Sequence, residues 1–182
     1  MSLTQLNTEQ LIARCRKQDQ NAQLEIYNRY YKAMYNTALR ILKDSAEAED
    51  IMQEAFLTAF TKLPMLTENK MFGAWLKKIV INSSLTAVRK NEVHRDVALE
   101  TVEYALADGD GIAEEDLTAV KANTIINTMN QLKDSYSTAL SLHFIEGYDY
   151  EEICQIMNIS YSNCRTLISR AKESLRKKLQ PV

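Results

Sequence analysis

Along most of the chain apolar residues recur at steps of three and four, the spacing that lines one face of an α-helix. Leu24, Tyr27, Tyr31, Tyr35, Ala38 and Leu42 form one such stripe, and Ala48, Met52, Phe56, Ala59 and Leu63 form the next. After the polar loop Thr67-Glu68-Asn69-Lys70 comes a third stripe of Phe72, Leu76, Ile79 and Ser83. A last one, Cys164, Ile168, Ala171, Leu175 and Leu179, lies near the C-terminus. The spacing predicts three amphipathic helices before residue 90, with the tyrosines of the first turned into the core rather than outward as a stacking platform. Only four glycines and two prolines occur in 182 residues. A β-sandwich or barrel needs a turn signal about every 8 to 12 residues, so the fold class is all-α.

The few breakers divide the chain. Pro64 stops the second helix near Leu63, and Gly147 separates two helical patterns in the C-terminal part. Gly109 and Gly111 fall in Ala107-Asp108-Gly109-Asp110-Gly111-Ile112, which has no apolar period and reads as a linker. Two small helical domains, 1–92 and 121–182, are therefore expected on either side of a flexible segment, 93–120. The charge pattern supports the division. Residues 91–120 hold nine acidic residues and one basic, a net −8, although the whole chain is only −2. Lys77, Lys78, Arg89 and Lys90 lie before it with no acid between residues 77 and 90. Beyond it Arg165, Arg170, Lys172, Arg176, Lys177 and Lys178 face Glu173 alone. Two basic patches flanking an acidic tether suit a protein that meets a polyanion at two places.

Each patch coincides with a helix face. Lys78, Asn82, Thr86 and Arg89 lie along one side of the third helix with Lys90 beside them, hydrogen-bonding groups framed by cations, a surface suited to a nucleic-acid strand. In the C-terminal part, Asp149 with Glu152 three residues later opens a short helix carrying Ile153, Ile156 and Met157 on its inner side. Asn158-Ile159-Ser160 makes a tight turn, Asn158 taking a left-handed conformation and Ser160 capping the next helix. That second helix presents Ser162, Asn163, Arg165, Thr166, Ser169 and Arg170, which gives a helix-turn-helix with its reading face in place. On the second helix of the first domain, Glu47, Asp50, Gln53 and Glu54 lie off the apolar stripe and face outward.

Several classes of chemistry find no support. Cys15, Cys154 and Cys164 are an odd number with no CxxC pair, and His94 and His143 are far apart, so no metal is assigned. No paired histidine and carboxylate, glycine-rich phosphate loop or activated nucleophile can be assembled, so no enzyme and no cofactor are expected. No apolar run approaches a membrane span and residues 1–19 are too polar for a signal peptide, which points to the cytoplasm without membrane insertion.

Taken in order, these segments resemble the extracytoplasmic-function (ECF) group of bacterial sigma factors in the sigma-70 family. The stretch from Ala46 to Phe56 is similar to the family's region 2 helix that binds the β′ clamp helices, and Phe72 to Asn82 to its promoter-melting segment. Leu132 to Leu179, with Tyr150-Glu151-Glu152-Ile153 and Arg170-Ala171-Lys172, resembles region 4. The resemblance implies a non-enzymatic partner of core RNA polymerase, held through the β′ clamp helices and the β flap, that recognises promoter DNA and is restrained by an anti-sigma factor. It assigns Asp50, Gln53 and Glu54 to polymerase docking. Lys70, Lys78, Asn82, Thr86, Arg89 and Lys90 fall to the downstream promoter element, where flipped bases of the non-template strand would be held by the Asn82 face and the loop Thr67 to Lys70. Ser162, Asn163, Arg165, Thr166, Ser169, Arg170 and Lys172 fall to the major groove of the upstream element. The chain departs from the family at Cys154, Cys164 and Asn158, where alanine, valine and glycine are common, all replacements compatible with the same fold. A helix-turn-helix regulator acting without polymerase is the competing reading, but it leaves residues 47–90 with no role.

Overall fold

The computed structural model describes residues 3–95 and 117–180. These residues form eight α-helices and short 3₁₀ turns, without a strand among them. The chain separates into two compact units, Met1–Val88 and Arg89–Val182. The division falls inside a helix; of the linker expected at 93–120, residues 93–95 belong to a helix that ends at Arg95 and 117–120 to one that starts at Leu117, while 96–116 lie outside the described residues.

The first unit contains α1 (Thr8–Cys15), α2 (Gln20–Leu42), α3 (Ser45–Thr61) and the first part of α4 (Phe72–Arg95). Side chains satisfy the orphan N–H groups at three of the starts. Asn7 Oδ1 accepts from the Gln10 amide at 2.8 Å while Gln10 Oε1 accepts from the Asn7 amide at 3.0 Å. Asp19 caps α2, and Asp44 Oδ1 accepts from the Glu47 amide at 2.8 Å to cap α3. Each such cap stabilises its helix by about 1 kcal/mol. Pro64 sits in the 3₁₀ turn Leu63–Met65 that follows α3, where its missing N–H costs no hydrogen bond.

Three expectations need correction here. Four helices precede residue 96, not three: α1 had not been anticipated, yet Leu11, Ile12 and Cys15 are buried in the centre of the unit. On α2 the buried row is Ala22, Ile26, Met34, Ala38, Ile41 and Leu42, whereas Leu24 is 59% and Tyr31 44% exposed. The tyrosines therefore border the core instead of filling it; Tyr27 packs on Phe56 with ring centroids 4.8 Å apart. The physical reason is that small and aliphatic residues let helices approach closely, while a border position leaves the phenol oxygen in water. On α4 the buried row is Phe72, Leu76, Val80 and Ser84, and Ile79 and Ser83 are only half-buried. Ser84 tolerates full burial because its hydroxyl donates to the Val80 carbonyl at 2.9 Å. The stripe of α3 is buried as its spacing predicts, from Ala48 through Leu63.

Tyr30 fixes the start of α4. Its ring meets Phe72 edge-on at 5.6 Å and its hydroxyl lies 3.3 Å from Thr8 Oγ1 on α1. A Cβ at Gly73 would stand 2.8 Å from Tyr30 Cε1, so only glycine fits beneath the ring.

The second unit holds α5 (Leu117–Asn130), α6 (Asp134–Leu140), α7 (Tyr150–Met157) and α8 (Tyr161–Leu179). The helix begun by α6 widens into a π-turn, Ser141–Ile145, with the Glu146 amide donating to the Ser141 carbonyl at 3.0 Å. Gly147, at φ +80°, then reverses the chain. Met129, Leu132, Leu140 and Ala171 form one packed group with Tyr136 and Leu175, and Ile153, Cys164 and Ile168 are buried on α7 and α8. The stripe of α8 fades toward its end: Leu175 is half-buried and Leu179 is 38% exposed, contrary to the expected burial. No helix among the described residues is long and apolar enough to cross a membrane.

Candidate functional site

Three surfaces emerge from this framework. The first is the outer face of α3. With Met52, Ala55, Phe56 and Ala59 buried on one side, Asp50, Gln53 and Glu54 are exposed on the other. Gln53 Nε2 donates to Glu49 Oε1 at 3.2 Å. Asp50 and Glu54 form no ion pair among the described residues. Leu57, one turn further along the same side, is 69% exposed. Sequence spacing gave no signal for it, since an apolar residue off the buried stripe is recognised only when its exposure is known. An exposed apolar side chain bordered by polar ones matches the apolar-centre, polar-rim pattern of protein-docking surfaces.

The second surface runs along α4. Lys78, Asn82 and Thr86 are exposed on the first unit's part of α4, where a helical rise spreads them over about 12 Å; Arg89 and Lys90, also exposed, lie past the division, and Arg89 Nη2 donates to the Met157 carbonyl at 3.2 Å. Thr86 Oγ1 donates to the Asn82 carbonyl at 2.8 Å, which leaves its hydroxyl only an acceptor for an incoming group. The Asn82 carboxamide has no hydrogen-bond partner among the described residues, so both its donor and its acceptor are available. Lys70 lies apart from this strip, in the 3₁₀ turn Asn69–Met71 that precedes α4. Its ammonium pairs with Glu68 at 2.9 Å. Such an exposed pair is worth less than about 1 kcal/mol and yields readily to a phosphate.

Beside Lys70 the loop 66–70 rests on α1, and between them lies an open cleft of about 590 Å³ lined by Glu9, Arg16 and residues 66–70. Arg16 spans from α1 to this loop, its guanidinium donating to the Leu66 carbonyl and, at 3.2 Å, to Asn69 Oδ1. Neither α1 nor Arg16 was legible as part of a site. The available signal was the Asn7 and Gln10 capping pair ahead of Leu11 and Ile12.

The third surface is α8. The caps expected for the helix-turn-helix are present: Asp149 Oδ1 accepts from the Glu152 amide at 2.8 Å and Glu152 Oε2 from the Asp149 amide at 3.1 Å. Asn158 is left-handed at φ 54°, and Ser160 Oγ accepts from the Asn163 amide at 3.3 Å. Ser162, Asn163, Arg165, Thr166, Ser169 and Arg170 are exposed, and a shallow hollow of about 510 Å³ runs between five of them and Tyr161. Tyr161 is 51% exposed in the first turn and was not singled out by the sequence. Lys172 is half-buried, its ammonium 5.1 Å from the centroid of the Phe144 ring, so it faces an aromatic side chain at the border of the reading face.

The cysteines stay apart from these surfaces. Burial pushes the Cys15 thiol up to about 11, with Asp19 adding to the shift. Cys164 is likewise raised to about 11, by burial and then by neighbouring Cys154.

The surfaces coincide with known sequence families. Residues 26–93 match the model of sigma-70 region 2, and residues 122–175 match that of sigma-70 region 4. The ECF RNA polymerase sigma factor SigW of Bacillus subtilis is 32% identical over 177 residues, covering 93% of this chain and 95% of SigW. The RNA polymerase sigma-H factor of Pseudomonas aeruginosa is 31% identical, with 99% of this chain and 97% of that protein covered. A solved sigma factor, RpoE of Bartonella quintana in complex with the anti-sigma factor NepR, shares the fold with a TM-score of 0.61 at 21% identity, covering 86% of this chain and 97% of that one. Two helical units bearing regions 2 and 4 define a sigma-70 type transcription initiation factor. The chain belongs to its extracytoplasmic-function group, the ECF RNA polymerase sigma factors. It is therefore a polymerase subunit that directs promoter recognition and melting, and not an enzyme in its own right.

Proposed function

We propose that the three surfaces divide initiation between them. Asp50, Gln53 and Glu54 dock the chain on the β′ clamp helices, and exposed Leu57 adds an apolar anchor. Region 4 engages the β flap and sets α8 in the major groove of the upstream element, with Ser162, Asn163, Arg165, Thr166, Ser169 and Arg170 reading base edges and phosphates and Lys172 at the border. The α4 strip of Lys78, Asn82, Thr86, Arg89 and Lys90, together with Lys70 and the loop 66–70, holds unpaired bases of the non-template strand. A base held out of the stack cannot re-pair, so capture opens the bubble without nucleotide hydrolysis. Residues 1–92 and 121–182 act as the two working parts, joined by the acidic segment 93–120. The chain works in the cytoplasm, where core polymerase is found, and an anti-sigma factor is its inhibitory partner.

The observation that carries this reading is the outer face of α3, where Asp50 and Glu54, with no ion pair among the described residues, stand beside an exposed leucine on a helix whose other side is packed. A regulator that binds DNA alone has no use for such a face. The test is a triple alanine variant at Asp50, Gln53 and Glu54. Its thermal stability stays within about 1 kcal/mol of wild type, as for surface changes generally, while capture of core polymerase in a pull-down is lost. Undiminished capture overturns the assignment.

A further inference from the structure

We propose that Arg16 is a positioning residue for promoter opening: it latches the loop 66–70 onto α1 and so preforms the cleft that receives an extruded base. The inference rests on the reading above, in which this loop holds unpaired bases. Arg16 stands at the C-terminal end of α1, where the helix dipole favours a cation. From there its planar fork reaches across to the loop. Nη2 donates to the Leu66 carbonyl, while Nε and Nη2 both donate to Asn69 Oδ1 at 3.2 Å. Asn69 closes the circuit, its Nδ2 donating to the Glu9 carbonyl on α1 at 3.4 Å. Both ends of the loop are thereby tied to one short helix some fifty residues earlier in sequence, and Leu66, 6% exposed, roots it in the core.

Between these ties Thr67 and Glu68 stay exposed, and Lys70 is held only by its surface pair with Glu68. The cleft beside them is open and lined mostly by polar side chains, with room for a nucleobase. A loop ordered before the base arrives loses no conformational freedom on capture, and that is the gain a latch supplies. Arg16 forms no ion pair among the described residues. Its hydrogen bonds are charge-assisted and directed to a carbonyl and an amide oxygen, a geometry that the single ammonium of lysine cannot span.

Holoenzyme reconstituted from core polymerase and the full chain provides the test. The probe is fork-junction DNA whose single-stranded non-template overhang is randomised, with the bound fraction sequenced. Wild type shows a base preference at one overhang position, and Thr67→Ala/Glu68→Ala flattens it. Arg16→Ala flattens the same position and weakens capture about tenfold, the loss expected for hydrogen bonds to a charged group. Arg16→Lys behaves like Arg16→Ala, and adding Asn69→Ala to Arg16→Ala brings little further loss. An abasic nucleotide at that position makes wild type and Arg16→Ala bind alike, which damage to the fold or to core binding would not do. If the loop variant keeps the preference, the base-holding role of the loop falls, and the latch with it. If the loop variant loses the preference while Arg16→Ala keeps it, or if Arg16→Lys matches wild type, the loop reading stands and the latch is overturned. Equal weakening of the abasic probe by Arg16→Ala also overturns it.

Discussion

The two surfaces proposed to face DNA are built in opposite ways. The surface of α8 is local: its cap, its turn and its exposed row all fall between Asp149 and Arg170, and the side-chain hydrogen bonds that cap its helices join residues three apart. The surface of the first unit is assembled at a distance. Its loop is held by Arg16 and faces Glu9, and the α4 strip begins where Tyr30 clamps Phe72 and Gly73. Duplex DNA offers a regular groove that a rigid helix can enter unaided. An extruded base has no such scaffold, so the protein must supply the walls, and walls come from several elements.

The largest effect expected from this contrast is that of Phe72→Ala. Phe72 is fully buried at the junction of α2 and α4, and its truncation destabilises the first unit by about 3 to 5 kcal/mol. Strand capture and core binding fail together in thermal-shift and pull-down assays, while the helix-turn-helix of the second unit keeps its fold by circular dichroism. Loss of both units would show that the two surfaces are not separate.

Next come the paired variants that assign melting. Arg165→Ala weakens closed-complex binding to duplex promoter by about 1 to 3 kcal/mol, the worth of one good base contact. Asn82→Ala leaves duplex binding by the holoenzyme near wild type but reduces permanganate-detected melting, and a template already unpaired at the downstream element recovers part of the loss. Equal weakening of duplex binding by both variants removes the assignment of melting to α4.

A sharper, smaller comparison lies in the caps. Ser160→Ala costs the second unit about 1 kcal/mol, and Gly147→Ala, at φ +80°, destabilises it by at least a similar amount. Chemical denaturation measures both. Neither changes the first unit.

The same contrast explains what could be read in the chain beforehand. Asp149 with Glu152, Asn158 and Ser160 declare the helix-turn-helix because capping is set by residues three apart, and α3 was legible because its apolar row is unbroken. The α2 row was misjudged because two rows of comparable hydrophobicity run along it, and spacing cannot tell whether Ile26 and Met34 or Tyr31 and Leu24 face inward. Eight residues made α1 too short for a clear period; a helix of that length owes its stability to the packing of Leu11, Ile12 and Cys15. The candidate residues at 50, 53, 54, 78, 82 and 165 were named from helix faces and family likeness, and all are exposed. Arg16 and Leu57 escaped notice because one acts on residues 50 or more positions away in sequence and the other is informative only through its exposure.

The smallest expected effect concerns the thiols. Burial keeps Cys15 and Cys164 protonated, each raised to about 11, so at neutral pH half-buried Cys154 is alkylated first by iodoacetamide, as peptide mass mapping will show. A thiol whose folded value lies above its ordinary 9.0 favours the fold below that value, and the benefit is lost as pH climbs from about 9 toward 11. Stability measured over that window therefore falls, and less steeply in Cys15→Ala. Equal reactivity of all three thiols at neutral pH would contradict their burial.

The latch grips the loop by the Leu66 carbonyl and by the carboxamide oxygen of Asn69, whose nitrogen donates to the Glu9 carbonyl on α1. Those oxygens are present whatever side chains stand at 67, 68 and 70. Under the proposed reading, a lineage can exchange these three residues, and with them the sequence it transcribes, without rebuilding the frame that presents them. In such a protein new regulatory wiring arises by swapping a few letters at a fixed address, and the inherited architecture is carried along unchanged.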